Sequence, residues 1–502
     1  MAATASRTPR EILCHVKFST LRFVENRRAA KLFAVIFALL PVKMSRAQTA
    51  PVSPDRPWRA APQAQFTQDL RKYTEASFAL DPAKTYDLGE LVDLAEQHNP
   101  ETRVAWQNAK AQAAALGVAK SELYPTIAAA ALSETDRSQE YLATRFFRQT
   151  IQDFQVALDL NYTVFDFGAR AGRINAAKAQ VLAANFVFND THRSVIYHVE
   201  QAYYQLLNAM GQEDAAQASL SNAQAVQQAA EERLNHGLST LPDVLEARSA
   251  TAQAEYELQA VLGAEEIARG NLATALGASP TTAIHVQPLK ELPLPDSISD
   301  TVELAIDRAF AQRPDLTRQL AEIRSANARV KETRAAFYPS LNLEAVPIAQ
   351  STYGLQQNLP WGHTAGLVGG LQLRLNWTVF DGGARRNNLA QARANVQGAE
   401  AQASVARDQI ADQVWAAYSN LNTAFRQRQA AVALLAAASQ SYEAALESYN
   451  YGLRNLLDVT AAQRTLAQAR AADVLARTQV LNALADLAFR TADSIQPYAT
   501  RP

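Results

Sequence analysis

The chain states one long pattern twice, and that repetition restricts its fold more than any other feature. Asn161-Tyr162-Thr163-Val164-Phe165-Asp166-Phe167-Gly168-Ala169-Arg170 returns 215 positions later as Asn376-Trp377-Thr378-Val379-Phe380-Asp381-Gly382-Gly383-Ala384-Arg385. Gly237-Leu238 and Asp243-Val244 answer Gly452-Leu453 and Asp458-Val459 at the same spacing. Leu123-Tyr124-Pro125-Thr126 answers Phe337-Tyr338-Pro339-Ser340 at one residue less, a slip absorbed in a loop. Solenoid units run to about 20–50 residues, so the period here implies two similar halves with pseudo-twofold architecture.

Within each half an Ala- and Gln-rich helical stretch, 88–122 and 301–336, leads to a Tyr-Pro that should end it, since proline forces its predecessor into an extended conformation. Strands should follow. Phe154, Val156, Leu158, Leu160, Tyr162 and Val164 alternate with Gln155, Ala157, Asp159, Asn161 and Thr163, and Leu371, Leu373, Leu375, Trp377 and Val379 alternate with Gln372, Arg374, Asn376 and Thr378. Alternation over about 9–11 residues suits a strand with lipid on one face and water on the other. The sequence predicts hairpins over about 126–164 and 340–379, with Pro347 ending the first strand of the second and polar loops over 133–153 and 350–366. Tyr141, Phe146, Phe147, Tyr353 and Trp361 mark one end of these strands. Tyr124, Tyr162, Phe165, Tyr338, Trp377 and Phe380 mark the other, as in the two aromatic girdles of a barrel. Two hairpins give four strands, too few for a closed transmembrane barrel of about eight or more, and open edges are not tolerated in lipid. Several chains must therefore share one barrel; two and three copies both remain open on this count.

After each Phe-Asp-x-Gly turn, residues 169–236 and 384–451 contain no proline. At 1.5 Å per residue such helices reach roughly 100 Å. Gly237 and Gly452 should stop them, with 243–276 and 456–490 running back as the second arms of two helical hairpins. The Pro-rich stretch 280–300 reads as a linker between repeat 1 (88–279) and repeat 2 (301–493), followed by a tail, 494–502.

Composition sets the address and excludes several chemistries. Among 502 residues, 48 Lys and Arg balance 49 Asp and Glu, which argues against nucleic acid as a partner. The lone Cys14 precludes an internal disulfide, the seven histidines show no metal-ligand spacing, and no P-loop or nucleophile motif occurs, so neither enzyme activity, nor a metal, nor a cofactor is expected. Arg22, Arg27, Arg28 and Lys31 precede the apolar run 32–40, and Ser45-Arg46-Ala47 follows as a small-x-small cleavage pattern. Residues 1–47 therefore read as a signal peptide with a long basic leader, and 48–87 as the start of the exported chain. Cys14 lies ahead of the apolar run, which argues against a lipid anchor.

The paired Tyr-Pro, the paired Thr-Val-Phe-Asp-x-Gly turns and the paired Gly-Leu…Asp-Val tips, in this duplicated order over 88–493, resemble the TolC family of outer-membrane efflux proteins. The resemblance implies an α+β membrane protein: a homotrimer whose 12-stranded β-barrel, four strands per chain, continues into a long α-helical coiled-coil barrel across the periplasm. It also implies a passive exit duct of a tripartite efflux or type I secretion system, served by a periplasmic adaptor and an inner-membrane pump. The strand-to-helix turns are Phe165, Asp166 and Gly168, and Phe380, Asp381 and Gly383. By motif position the tips lie at 235–243 and 449–458, with Gly237, Leu238, Gly452 and Leu453 matching the adaptor-docking positions. Tyr449, Arg454, Asp243 and Asp458 match the periplasmic gate, with Asp243 as the expected partner of Tyr449. Two departures bear on that gate: Pro242 replaces the hydroxyl partner of Arg454, and Ala461 replaces a second entrance carboxylate, which predicts a weaker cation trap. Helix chemistry alone accounts for the same glycines as C-caps and the same acids in first turns. A periplasmic structural or adaptor coiled coil with soluble strands is the main alternative, and an exported hydrolase finds only scattered Asp, His and Ser.

Overall fold

The structure is a computed structural model describing residues 80–493 except 143, 290, 291, 293, 295–300 and 358, together with 66, 68, 69 and 78. The expected signal peptide, Cys14 and the tail 494–502 lie outside the described residues. The chain divides into two units, Met1–Ala76 and Ser77–Pro502. Of the first unit only 66, 68 and 69 are described, in helical conformation.

The elements of the second unit run β1 (Thr85–Tyr86), α1 (Leu88–His98), α2 (Pro100–Ser121), β2 (Thr126–Leu142), β3 (Arg145–Phe165), α3 (Ala169–Asn235) and α4 (Leu241–Ala275). Then come β4 (His285–Val286), α5 (Val302–Gln312), α6 (Pro314–Ala335), β5 (Ser340–Gln356), β6 (Gly362–Asn376), α7 (Ala384–Asn450) and α8 (Leu456–Thr491). The succession short helix, longer helix, strand, strand, 67-residue helix, returning helix thus occurs twice. No helix among the described residues is long and apolar enough to cross a membrane.

Four sequence expectations are corrected, the last of them at Pro347. Neither 88–122 nor 301–336 is one helix, because Pro100 and Pro314 start new helices after an extended Asn99 and Arg313. Each break is tied to the end of its own repeat: Asn99 Nδ2 donates to Ala275 O at 2.9 Å and Arg313 Nη1 to Arg490 O at 3.3 Å. Second, 280–300 is more than a linker. Its β4 pairs parallel with β1, and Ile284, Val286 and Leu289 enter the largest core, with Leu91 of α1, Tyr203, Leu206 and Leu207 of α3, and Leu272 and Leu276 at the end of α4. Each such leucine contributes about 1.5–3 kcal/mol by leaving water. Elsewhere alanine is the commonest residue that the long helices bury, and it supplies far less. Third, the polar loops are mostly strand. β2 and β3 pair without interruption from Thr126↔Asn161 to Leu142↔Arg145, and β5 pairs with β6 to Gly354↔Gly362. Backbone pairing carries the strands past the apolar belt, where side-chain alternation no longer reports it.

Pro347 does not end its strand. It sits opposite Gly369, while on the β3 side the ladder skips from Ala157↔Ile348 to Leu160↔Ala345. Proline has no N–H to give, so the ladder breaks there on one side only.

Beside the core, Glu200 of α3 is 3 % exposed and its Oε2 has no partner. Burial pushes its carboxyl up to about 7. The folded state thus holds the proton more tightly than the unfolded chain. The resulting cost is absent at low pH, grows from about pH 4.5 and is complete above about pH 7, where it reaches about 3 kcal/mol. Glu200→Gln should therefore raise the denaturant midpoint at pH 8.5 and leave it nearly unchanged at pH 4.5; equal shifts at both values would contradict this account.

Candidate functional site

The sheet order is β2-β3-β5-β6, antiparallel throughout, with β2 and β6 as edges. Directly paired residues share a face, so the registers assign one face to Ile127, Val156, Leu158, Leu160, Leu343, Leu367, Leu371 and Leu373. Most of it is bare: Leu367, Leu371, Leu373 and Leu375 of β6 are exposed, Leu371 to 74 %. The opposite face carries Asp153, Gln155, Asn161, Glu344, Gln350, Thr352, Gln372 and Arg374. Its side chains bond one another: Gln372 Nε2 donates to Glu344 Oε2 at 2.7 Å, Arg374 pairs with the same carboxylate at 3.0 Å, and Asp153 accepts from Thr352 and Gln350. On β3 the apolar Val156 and Leu158 are exposed while the polar Asp153 and Gln155 are half-buried, which reverses the usual order of a soluble sheet.

At the sheet's other end lie the turns. Asp166 accepts from Gly168 N at 3.2 Å and from Arg170 N and Nε at 2.8 and 3.1 Å. Asp381 repeats this with Gly383 N at 3.1 Å and Arg385 N and Nε at 3.0 and 2.7 Å. These bonds cap α3 and α7, and the Arg385 side chain foremost holds the Asp381 carboxyl below its ordinary range. Each arginine then reaches the end of the preceding helix and of the strand: Arg170 to Glu122 O and Val164 O, Arg385 to Ala336 O and Val379 O. Arg170 and Arg385 repeat at the same spacing and were readable as part of the turn. Phe167 adopts φ 51 where the second repeat has Gly382 at φ 65, and it stacks on Tyr338 at 4.9 Å with Phe165 edge-on at 4.7 Å. Phe380 is 85 % exposed.

Far along α3 and α7 the tips close alike. Leu238 N donates to Arg233 O and Gly237 N to Leu234 O; Leu453 N donates to Ser448 O and Gly452 N to Tyr449 O. This is the Schellman pattern, and it needs the left-handed φ of 71 and 73 that glycine supplies. It leaves Leu238 and Leu453 exposed to 67 % and 79 %, with Leu241, Leu245 and Leu457 bare beside them.

The expected gate residues stand differently. Asp243 directs its carboxylate to the α4 N-terminus, accepting from Thr240 N at 2.9 Å and from the Thr240 and Ser239 hydroxyls at 2.7 and 3.0 Å. The Thr240 backbone foremost, then its hydroxyl, lowers the Asp243 pKa. Tyr449 is 4 % exposed and its buried hydroxyl has no partner. Within the chain, then, the Tyr449–Asp243 link is not made. Asp458 N donates to Asn455 Oδ1 at 2.9 Å, which caps α8, and Arg454 is exposed, with no hydrogen bond or ion pair among the described residues. What touches Tyr449 instead is Arg233, which no repeat motif marks.

A second feature invisible in the sequence lies where α3, α6, α7 and α8 meet. Arg193 is 1 % exposed; it pairs with Asp190 at 2.9 Å, donates to Phe489 O and lies 4.8 Å over the Phe489 ring. Arg313 joins Asp315 at 2.7 Å and Gln413 Oε1 at 3.0 Å, while Asp486 holds Arg490 at 3.1 Å and Tyr197 at 2.9 Å. Burial lowers the Arg193 pKa and raises that of Asp190. The described residues contain no cluster suited to a metal ion.

Comparison with known proteins agrees with this geometry. The family described as outer membrane efflux protein matches residues 91–278 and again 305–492. Protein CyaE of Bordetella pertussis is 31 % identical over 394 residues, spanning 78 % of this chain and 81 % of that one. Outer membrane protein OprJ of Pseudomonas aeruginosa is 25 % identical over 412 residues, 80 % of this chain and 83 % of its own. Among solved structures, the Campylobacter jejuni CmeC outer membrane channel superposes with a TM-score of 0.70 at 21 % identity, covering 82 % of this chain and 87 % of that one. A family match over both halves, a channel fold and a sheet greasy on its exposed face lead to one conclusion: the chain belongs to the TolC-like family of outer-membrane efflux proteins.

Proposed function

We propose that three copies of this chain form a passive outer-membrane exit duct for a tripartite efflux or type I secretion system. The observation that carries the reading is the sheet: four strands, two unpaired edges and a bare apolar face. Unpaired backbone is not tolerated in hydrocarbon, so the edges must meet those of other copies, and three such sheets give a twelve-stranded barrel with its polar face inward. The 67-residue helices continue the wall into the periplasm. Alanine-lined faces suit close packing against helices of neighbouring copies.

A periplasmic adaptor would dock on the exposed Leu238 and Leu453 beside Gly237 and Gly452, and an inner-membrane pump would supply the energy. Tyr449, Arg454, Asp243 and Asp458 would surround the entrance, with a single ring of Asp458 carboxylates attracting cations. The basic leader and the cleavage pattern ending at Ala47 support export, and the place of Cys14 ahead of the apolar run speaks against a lipid anchor there.

Purified mature protein should insert into planar bilayers as a trimer with small, stable conductance steps. A folded sample that never inserts would favour the periplasmic coiled-coil alternative.

A further inference from the structure

We infer that Arg233 is a clasp that holds the two helical tips of each chain together and so keeps the entrance closed. The inference rests on the duct reading, but its residue and its bonds are not those that the family resemblance supplies. Arg233 stands in the last turn of α3. Its Nη1 donates to Tyr449 O at 3.0 Å and to Asn450 O at 3.2 Å, and its guanidinium lies 4.7 Å from the Tyr449 ring. Those carbonyls are the last of α7, where the helix dipole is negative and a cation is favoured. A planar fork can bond carbonyls and stack on a ring at once, which an ammonium cannot.

The position 215 residues on is Ser448, so the clasp runs in one direction, from the first hairpin to the second. It also explains why the Tyr449 hydroxyl is idle. The part of Tyr449 that is held is its carbonyl and ring, while Asp243 is committed to Ser239 and Thr240. The clasp is not fully satisfied, because Arg233 Nε is buried without a partner. Such a donor carries a standing desolvation cost. Release returns it to water, which offsets part of the cost of opening. Gly237 and Leu238 follow Arg233 by four and five residues, and Gly452 and Leu453 follow Tyr449 by three and four. A partner gripping both tips therefore pulls directly on the two ends of the clasp.

The test is single-channel conductance of trimers carrying Arg233→Gln, Arg233→Lys or Tyr449→Phe, each checked for wild-type trimer stability. Arg233→Gln should raise the open fraction roughly tenfold, the factor that one charge-assisted hydrogen bond supplies. Arg233→Lys, which keeps the charge but loses the fork, should fall between and serves if the Gln variant does not assemble. Tyr449→Phe, which keeps the ring and the carbonyl that Arg233 holds, should open the entrance far less than Arg233→Gln. Unchanged conductance in both Arg233 variants overturns the clasp, as does opening by Tyr449→Phe alone, which would return the latch to the hydroxyl. A second readout does not depend on insertion: spin labels at Asn235→Cys and Tyr451→Cys, diluted with unlabelled chains, report the distance between tips within one chain. That distance should lengthen and broaden with Arg233→Gln. If it does not, the clasp fails even where the duct stands; if the wild type never inserts, the duct fails while the distance still decides the clasp.

Discussion

A single methyl group added at position 369 is expected to cost the protein its sheet, and with it the proposed trimer, while the same methyl at 366 or 370 should pass unnoticed. A Cβ on Gly369 would lie 2.5 Å from Val346 O and 2.8 Å from Pro347 Cα. Both are backbone atoms of the paired strand, so no side chain can swing aside. At Gly366 and Gly370 the same atom meets nothing within 4 Å. Pro347 sits directly opposite Gly369, and of the β6 glycines at 366, 369 and 370 only Gly369 meets backbone of β5 this closely. Overpacking of this kind costs about 1–3 kcal/mol where neighbours can shift, and more where they are backbone. The assay is recovery of heat-resistant trimer from membranes for Gly369→Ala, Gly366→Ala and Gly370→Ala. Equal recovery of all three would show that the strands part without penalty.

The other large effect is expected at Arg193. Removing its side chain strips Asp190 of its closest cation, frees the Phe489 carbonyl and empties a site that is 1 % exposed. Breaking a buried ion pair by deleting one partner typically costs about 3–5 kcal/mol. Arg193→Ala should therefore lower stability toward urea by about that much. Asp190→Asn should also be costly, because it leaves the Arg193 guanidinium, 1 % exposed, without its counter-ion, but it keeps the packed side chain and the Phe489 contacts and so should cost less than Arg193→Ala. A smaller effect for Arg193→Ala than for Asp190→Asn would mean that the Phe489 contacts contribute little.

How much of the fold and of the tips is legible in the sequence depends on whether a feature recurs. Whatever is written twice can be read once and checked against its copy: the Asp166 and Asp381 turns, the Gly237 and Gly452 tips, the strand pairs. Features that break the symmetry escape. Arg233 has Ser448 for its counterpart, and Phe167 has Gly382. Arg193 is one of several arginines in a polar helix, and only the crossing of four helices makes it the largest fully buried side chain among the described residues. The strand ends are hidden for another reason. Beyond the bilayer both faces of a strand are wet, so alternation fades while the backbone ladder continues. The breaks at Pro100 and Pro314 had a signal of their own, since a proline is favoured at the first position of a helix and so marks a start as well as a stop.

The central pairing of the sheet sets the timetable of folding. β3 and β5 join residues as far apart as Gln149 and Gln356, so one half of the protein is zipped to the other across more than two hundred residues of mostly helical chain. No second-half strand exists until most of the chain has been made and moved out of the cytoplasm. Until then β2 and β3 can form only an isolated hairpin, which is marginally stable at best in water. Contacts between distant residues also carry the largest loop-closure cost and form slowly. The newborn protein therefore passes through an interval in which its greasiest segments are complete but have nothing to pair with, and the speed of its second half, more than the strength of its first, decides whether they meet or aggregate.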